Sequence, residues 1–104
     1  MERNKYKNIQ LVCKKVKFYA LKDEDAFFEW TKRIECIKDV SAVGDELYLY
    51  VPEVIADDDL RDILALFYRY KIDMKQLARF LNDTNRSWLY EGYKGYWYDN
   101  VFGV

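Results

Sequence analysis

The sequence predicts an α+β fold, in which a small antiparallel sheet has helices packed on one face. Three observations lead to this prediction: a β-prone run near the start, two short β-prone runs around a glycine-aspartate turn, and helical segments whose apolar residues recur every three or four positions. The expected order is βαββαα plus a C-terminal strand. At 104 residues, the chain is expected to form a single compact domain over residues 1–104.

The first strand is expected over residues 9–20, but its apolar residues change phase. One set is Ile9, Leu11 and Cys13, and the other is Val12, Val16, Phe18 and Ala20. Because a phase change exchanges the two faces of a strand, we expect a bulge or a second short element near Lys14 and Lys15.

The helix that follows is expected to use Asp23 as its N-cap. Its apolar stripe consists of Phe27, Trp30, Ile34 and Ile37. These residues recur at spacings of three and four, which places them on one face of a helix.

A β-hairpin is predicted next, because residues 40–43 and 47–51 are β-prone and flank Gly44, Asp45 and Glu46. Alternation along the second arm points Leu47, Leu49 and Val51 inward and leaves Tyr48 and Tyr50 on the opposite face. Pro52 should end this strand, since proline cannot donate a hydrogen bond to the ladder.

Two further helices are predicted in the second half. Asp57, Asp58 and Asp59 should open the first, because carboxylates are favoured at a helix start. Residues 63–68 are apolar nearly all round, so this helix should be the most buried. The second should run from Asp73 to about residue 81, with Gln76 completing a capping box and with Ile72 and Leu77 as a hydrophobic staple, and residues 82–85 should break it.

The C-terminal stretch from residue 87 is rich in aromatic side chains. They are Trp88, Tyr90, Tyr93, Tyr96, Trp97, Tyr98 and Phe102. Such rings suit a strand, an irregular wrap over the core, or a surface that is wet alone and dry when bound. Core lining and partner contact are both open for these residues.

The usual catalytic signatures are missing from the sequence. The chain has no histidine, no glycine-rich phosphate loop and only two cysteines, which we expect to be buried and reduced. Asp57, Asp58, Asp59 and Asp62 could bind Mg²⁺ or Ca²⁺, but their place at a helix start explains them without a metal. We therefore expect no cofactor and no metal.

Charge and hydropathy narrow the set of partners. The net charge of −1 attracts neither nucleic acid nor an anionic membrane, and no apolar run could span a bilayer.

The basic-glycine-aromatic start at residues 94–96 resembles an RNA-recognition signature, but Trp97 and Asp99 occupy its small-residue and valine positions, so we reject it. No signal peptide is evident, and a cytoplasmic protein is expected.

These observations favour a protein-binding module, specifically a small inhibitor or immunity-type protein that blocks the active site of a toxin or nuclease. The alternatives are a self-associating regulatory or scaffold domain, present as a homodimer, and an enzyme that uses carboxylate and tyrosine chemistry. The expected partner-binding residues are Asp57, Asp58, Asp59, Asp62, Tyr48, Tyr50, Tyr93, Tyr96, Trp97 and Tyr98.

Overall fold

The computed structural model describes residues 8–92 and 94–103, and it has the expected α+β class. The elements, in chain order, are β1 (Asn8–Lys14), α1 (Leu21–Arg33), β2 (Asp39–Val43), β3 (Glu46–Pro52), α2 (Asp57–Arg69), a 3₁₀ helix (Lys75–Phe80), a π-helical turn (Ser87–Glu91) and α3 (Tyr98–Phe102). Tyr93, one of the expected partner-binding residues, lies outside the described residues.

The three strands form one antiparallel sheet in the order β1-β3-β2. The predicted hairpin is confirmed, since Val43 pairs with Glu46 across a two-residue turn in which Gly44 has a φ of +60°. That left-handed conformation is one that glycine adopts without strain. Leu49 and Val51 are buried on the core face, as predicted, whereas Leu47 is half-buried.

The first strand is shorter than predicted, because it ends at Lys14. Lys15 adopts a φ of +50°, which breaks the strand where the sequence changes phase. Ile9, Leu11 and Cys13 are the buried set, and residues 16–20 leave the sheet. Phe18 packs instead against Phe27 of α1, with 5.5 Å between the ring centroids.

Helix α1 starts earlier than predicted, and Asp23 is not its N-cap. Ala20 holds that position, and Asp23 lies in the first turn, where its carboxylate accepts a hydrogen bond from the Tyr19 N–H at 2.9 Å. The helix ends at Arg33, so Ile34 and Ile37 of the predicted stripe follow it. Phe27 and Ile34 are nevertheless buried, because the chain continues against the core.

Helix α2 is the most buried helix, as predicted, and it opens with the three aspartates. Its inward residues, all fully buried, are Leu60, Ile63, Leu64, Leu66 and Phe67. The helix ends in a Schellman motif: the Ile72 N–H donates to the Phe67 carbonyl at 2.9 Å, and the Lys71 N–H donates to the Tyr68 carbonyl at 3.4 Å. Lys71 takes the left-handed position, with a φ of +57°.

The third predicted helix is a 3₁₀ helix that begins after Met74, and no capping box forms. The Gln76 side chain pairs instead with β1: its Oε1 accepts the Val12 N–H and its Nε2 donates to the Val12 carbonyl, both at 2.9 Å. The amide thus occupies the place that a neighbouring strand would take at this edge of the sheet. Ile72 and Leu77 are both buried.

The predicted C-terminal strand is wrong. Asn82 and Asn85 hydrogen-bond each other's backbone N–H groups, and a π-helical turn and the short helix α3 follow. The described part of the aromatic run pairs with neither edge strand of the sheet, β1 or β2, and at β1 the Gln76 amide already holds the Val12 N–H and carbonyl. Both cysteines are free and buried. Among the described residues, no helix is long and apolar enough to cross a bilayer.

Candidate functional site

Helix α2 has an outward stripe that contacts the aromatic C-terminal segment. The stripe consists of Asp58, Arg61, Asp62, Ala65, Tyr68 and Arg69, spaced three or four residues apart. Five of the six side chains are exposed, and Ala65 is half-buried. We use the name α2 surface for this stripe together with the rings of Trp88, Tyr96 and Trp97.

A chain of edge-to-face contacts connects the C-terminal rings to α2. Ring centroids are 5.8 Å apart between Trp88 and Trp97, 5.1 Å between Trp97 and Tyr96, and 4.8 Å between Tyr96 and Tyr68. At the far end, the Arg61 guanidinium lies 3.9 Å from the centroid of Trp88. Trp88, Trp97 and Tyr96 each have two neighbours in this chain of contacts, and Tyr68 has one. These contacts restrict the rotamers of the rings before any partner binds.

The two tyrosines of this chain combine high exposure with free hydroxyl groups. Tyr68 is 48% exposed and Tyr96 is 49% exposed. Neither hydroxyl has a hydrogen-bond partner within the described part of the chain. Partial burial raises the pKa of Tyr96, with smaller upward contributions from Tyr68 and Asp62 and a downward one from Arg61. The hydroxyl is protonated at neutral pH, as in any tyrosine, and can donate a hydrogen bond.

Trp97, an expected partner-binding residue, has mainly an internal role. Its indole N–H donates to the Leu89 carbonyl at 3.1 Å, and the ring packs against the core. The indole nitrogen of Trp88 is buried without a hydrogen-bond partner among residues 8–92 and 94–103. Trp97 thus supports Tyr96 directly, and Trp88 supports Trp97.

Tyr98 belongs to a separate ring cluster on α3. Its centroid is 5.7 Å from that of Tyr90 and 5.5 Å from that of Phe102, and the Lys94 Nζ lies 4.5 Å above its ring. Desolvation and the neighbouring Tyr90 hydroxyl raise the pKa of Tyr98. Tyr98 thus does not extend the chain of contacts on the α2 surface.

The four expected carboxylates do not form one acidic patch. Asp57 and Asp58 line a groove of about 470 Å³ with Asn82 and Thr84. Asp62 lines a different groove, of about 530 Å³, together with Trp30 and Arg33 of α1. None of the four makes an ion pair within the described residues.

Asp59 differs from its neighbours because it is half-buried near Cys36. Burial raises the pKa of the Cys36 thiol to about 12, and the Asp59 carboxylate adds to this shift. Burial also raises the pKa of the Cys13 thiol to about 12. Both thiols are protonated at neutral pH and are therefore poor nucleophiles and poor metal ligands.

Tyr48 and Tyr50 lie on the outer face of the sheet, opposite the helices, as predicted. We define the outer sheet face by these tyrosines together with Val12 and Ser41, which are the cross-strand partners of Tyr48. The Tyr48 hydroxyl donates to the Glu46 carboxylate, which raises the pKa of Tyr48, and the Tyr50 hydroxyl lies 3.4 Å from the Ser41 Oγ. The expected partner-binding residues are thus divided between two sides of the molecule.

Sequence reasoning missed several residues of the helical side: Trp30, Arg33, Arg61 and Tyr68. Tyr68 was not predicted to be exposed, because residues 63–68 are apolar nearly all round and do not indicate which face of the helix points outward. The three-and-four spacing of Arg61, Ala65 and Tyr68 was the available signal. Among the described residues, no group of three or more histidine, cysteine or acidic side chains could hold a metal ion.

Comparison of the chain with protein-family models, with curated proteins and with solved structures finds no match. The assignment of function therefore depends on the geometry of these surfaces.

Proposed function

We propose that this chain is a protein-binding module that engages its partner through the α2 surface. One observation carries the proposal: Tyr68 and Tyr96 are in ring contact, are each about half exposed, and have hydroxyls without partners in the described residues. Paired tyrosines of this kind supply a large apolar area and a polar tip at one place.

The supporting rings make this pair suitable for tight binding. Association costs free energy for every side chain that must be ordered, about 0.5–1.5 kcal/mol each. Tyr96 is already held between Tyr68 and Trp97, and Arg61 is already stacked on Trp88. Tyrosine, tryptophan and arginine are the residues most often found in binding hot spots.

The carboxylates of α2 favour a partner with a basic surface. Asp58 and Asp62 are exposed on the α2 surface and make no ion pair among the described residues. Close charge pairs across an interface increase the association rate and can supply several kcal/mol of coupling. We propose accordingly that the partner is a basic toxin or nuclease, and that the chain inhibits it as an immunity-type protein by blocking its active site.

Immobilised protein and quantitative mass spectrometry test this proposal. The Tyr68→Ala and Tyr96→Ala variants should no longer capture the partner. Each should bind it at least about 30-fold more weakly, which corresponds to about 2 kcal/mol of binding free energy. Tyr19→Ala is the matched control, because Tyr19 is 81% exposed and lies outside the α2 surface. Equal capture by all three variants contradicts the proposal.

Light scattering distinguishes the proposal from self-association. A chain that uses the α2 surface to bind a second copy of itself would be a dimer, and Tyr96→Ala would convert it to a monomer. A monomer for the unaltered chain removes this alternative.

A further inference from the structure

A groove of about 540 Å³ lies at the C-terminal end of the α2 surface. Its lining residues are Ala65, Tyr68, Arg69, Lys71 and Tyr96. The two tyrosines form aromatic walls, and both charged side chains of the lining are cations. We call this groove the basic socket.

The two cations of the basic socket are uncommitted. Neither Arg69 nor Lys71 makes an ion pair with a carboxylate of residues 8–92 or 94–103. The neighbouring groove differs, since it contains Asp73 and Asp99 along with Lys75, whose Nζ donates to the Gly103 carbonyl at 2.8 Å. Lys71 lines both grooves, whereas Arg69 lines only the basic socket of the two, and no carboxylate belongs to the lining of the socket.

Lys71 occupies a position that usually favours another residue. It is the left-handed residue of the Schellman motif at the end of α2, with a φ of +57°, where glycine is preferred. A lysine there keeps a long cationic side chain beside the two rings at a cost in backbone conformation.

We propose that the basic socket binds an acidic side chain of the protein partner. The carboxylate would accept hydrogen bonds from Arg69 and Lys71, and its methylene stem would pack against Tyr68 and Tyr96. This proposal rests on the proposed function and adds the chemistry of one contact. The contact would also orient the partner. Asp58 and Arg69 lie about 16 Å apart along the helix axis, so the partner would place a basic group opposite Asp58 and an acidic group opposite Arg69.

A nucleic-acid phosphate would meet less favourable surroundings in the same place. A polyanion binds along several cations, and the lining of the basic socket offers two, Arg69 and Lys71. The chain also carries a net charge of −1, which gives no long-range attraction to a polyanion.

The test is an amide NMR titration of the free protein with blocked pentapeptides that carry two glutamates, two glutamines or two lysines around one phenylalanine. The glutamate peptide should shift the amides of residues 65–71 and Tyr96, and the glutamine peptide should bind about fivefold more weakly or worse. A double variant, Arg69→Gln with Lys71→Gly, should weaken the glutamate peptide about tenfold. Lys22→Gln on α1 is the matched control and should leave it unchanged.

Four outcomes overturn the proposal. They are equal binding of the glutamate and glutamine peptides, preferred binding of the lysine peptide, shifts confined to residues outside the socket, and tighter binding of an eight-residue oligothymidylate at the same amides. The last result would assign the socket to a nucleic acid. Because this titration needs no partner protein, its failure is separate from failure of the capture experiment with Tyr68→Ala and Tyr96→Ala.

Discussion

The α2 surface and the outer sheet face each present two tyrosines, but the hydroxyl groups differ. On the sheet, the Tyr48 hydroxyl is bonded to Glu46 and the Tyr50 hydroxyl lies beside Ser41. On α2, the hydroxyls of Tyr68 and Tyr96 have no partner among the described residues. Tyrosine content alone therefore does not identify a binding surface. Tyrosines whose hydroxyls lack a partner and whose rings are held by neighbouring rings are better candidates for one.

The supports of the two regions also differ. Tyr48 and Tyr50 alternate along the central strand, where backbone pairing on both sides holds them. Tyr96 comes from an irregular segment, and its position depends on Tyr68 and Trp97. A surface built from side-chain contacts is sensitive to single substitutions, and this sensitivity makes the comparison testable.

The largest effect is expected from the inner side of α2. Phe67 is fully buried, so Phe67→Ala should lower the free energy of unfolding by about 3–5 kcal/mol through lost burial and a cavity. Tyr68→Ala, one residue away on the outer side, should cost less than about 1.5 kcal/mol. Urea denaturation measures both, and equal losses would place the α2 surface within the core.

A smaller effect is expected at the sheet, from the contact between Gln76 and Val12. Gln76→Ala removes both hydrogen bonds to the Val12 backbone, together with one from Nε2 to the Asp73 carbonyl, and should cost about 1–3 kcal/mol. It also frees the β1 edge, so concentration-dependent association should increase. Gln10→Ala, at an exposed position of the same strand, is the control and should change stability by less than about 0.5 kcal/mol. Matching results for the two variants would show that the contact between Gln76 and Val12 contributes nothing to stability.

The last effect is a dependence of stability on alkaline pH, which comes from the two buried thiols. Cys13 lies on the core face of the sheet and Cys36 lies near Asp59 of α2, and burial raises both pKa values from 9.0 to about 12. Above pH 9 the unfolded thiol ionises while the folded thiol stays protonated. Stability should therefore fall as pH rises, by up to about 1.4 kcal/mol per pH unit for each thiol.

Cys13→Ala and Cys36→Ala separate the two contributions. Each variant should flatten the decline of the unfolding free energy between pH 9 and 10.5, measured by urea denaturation. If a variant shows the same slope of unfolding free energy against pH as the unaltered chain, the thiol that it removes is exposed to solvent and its pKa is not raised in the folded protein.

The sequence was sufficient for elements with local signals. The hairpin follows from a glycine-aspartate turn between β-prone runs, and α2 follows from its acidic start and its apolar periodicity. Gln76 shows where local signals fail, because a residue placed to cap its own helix pairs with Val12, which is distant in sequence. Capping patterns describe only one of the bonds that a side chain can make.

The candidate site was predictable only in part. Aromatic density predicted Tyr96 at a binding surface, and the acidic run predicted Asp62 there. The sequence did not predict that these two side chains would lie close enough to interact. The same aromatic density predicted Tyr98 and Trp97 at the binding surface. Tyr98 instead packs against Tyr90, and the Trp97 indole donates to the Leu89 carbonyl. Ring composition is visible in a sequence, whereas the neighbour of each ring depends on how the C-terminal segment folds back.

The amino-acid order by itself determined the α+β class, the hairpin and the buried face of α2, because turn chemistry and apolar periodicity act between residues close in the chain. The tertiary structure alone decided that the C-terminal segment forms short helical turns, that its Trp88 and Tyr96 contact Arg61 and Tyr68 of α2, and that Arg69 and Lys71 share a groove with Tyr96. The physical reason is that pairing and burial between distant segments depend on which edges and faces the rest of the molecule leaves open.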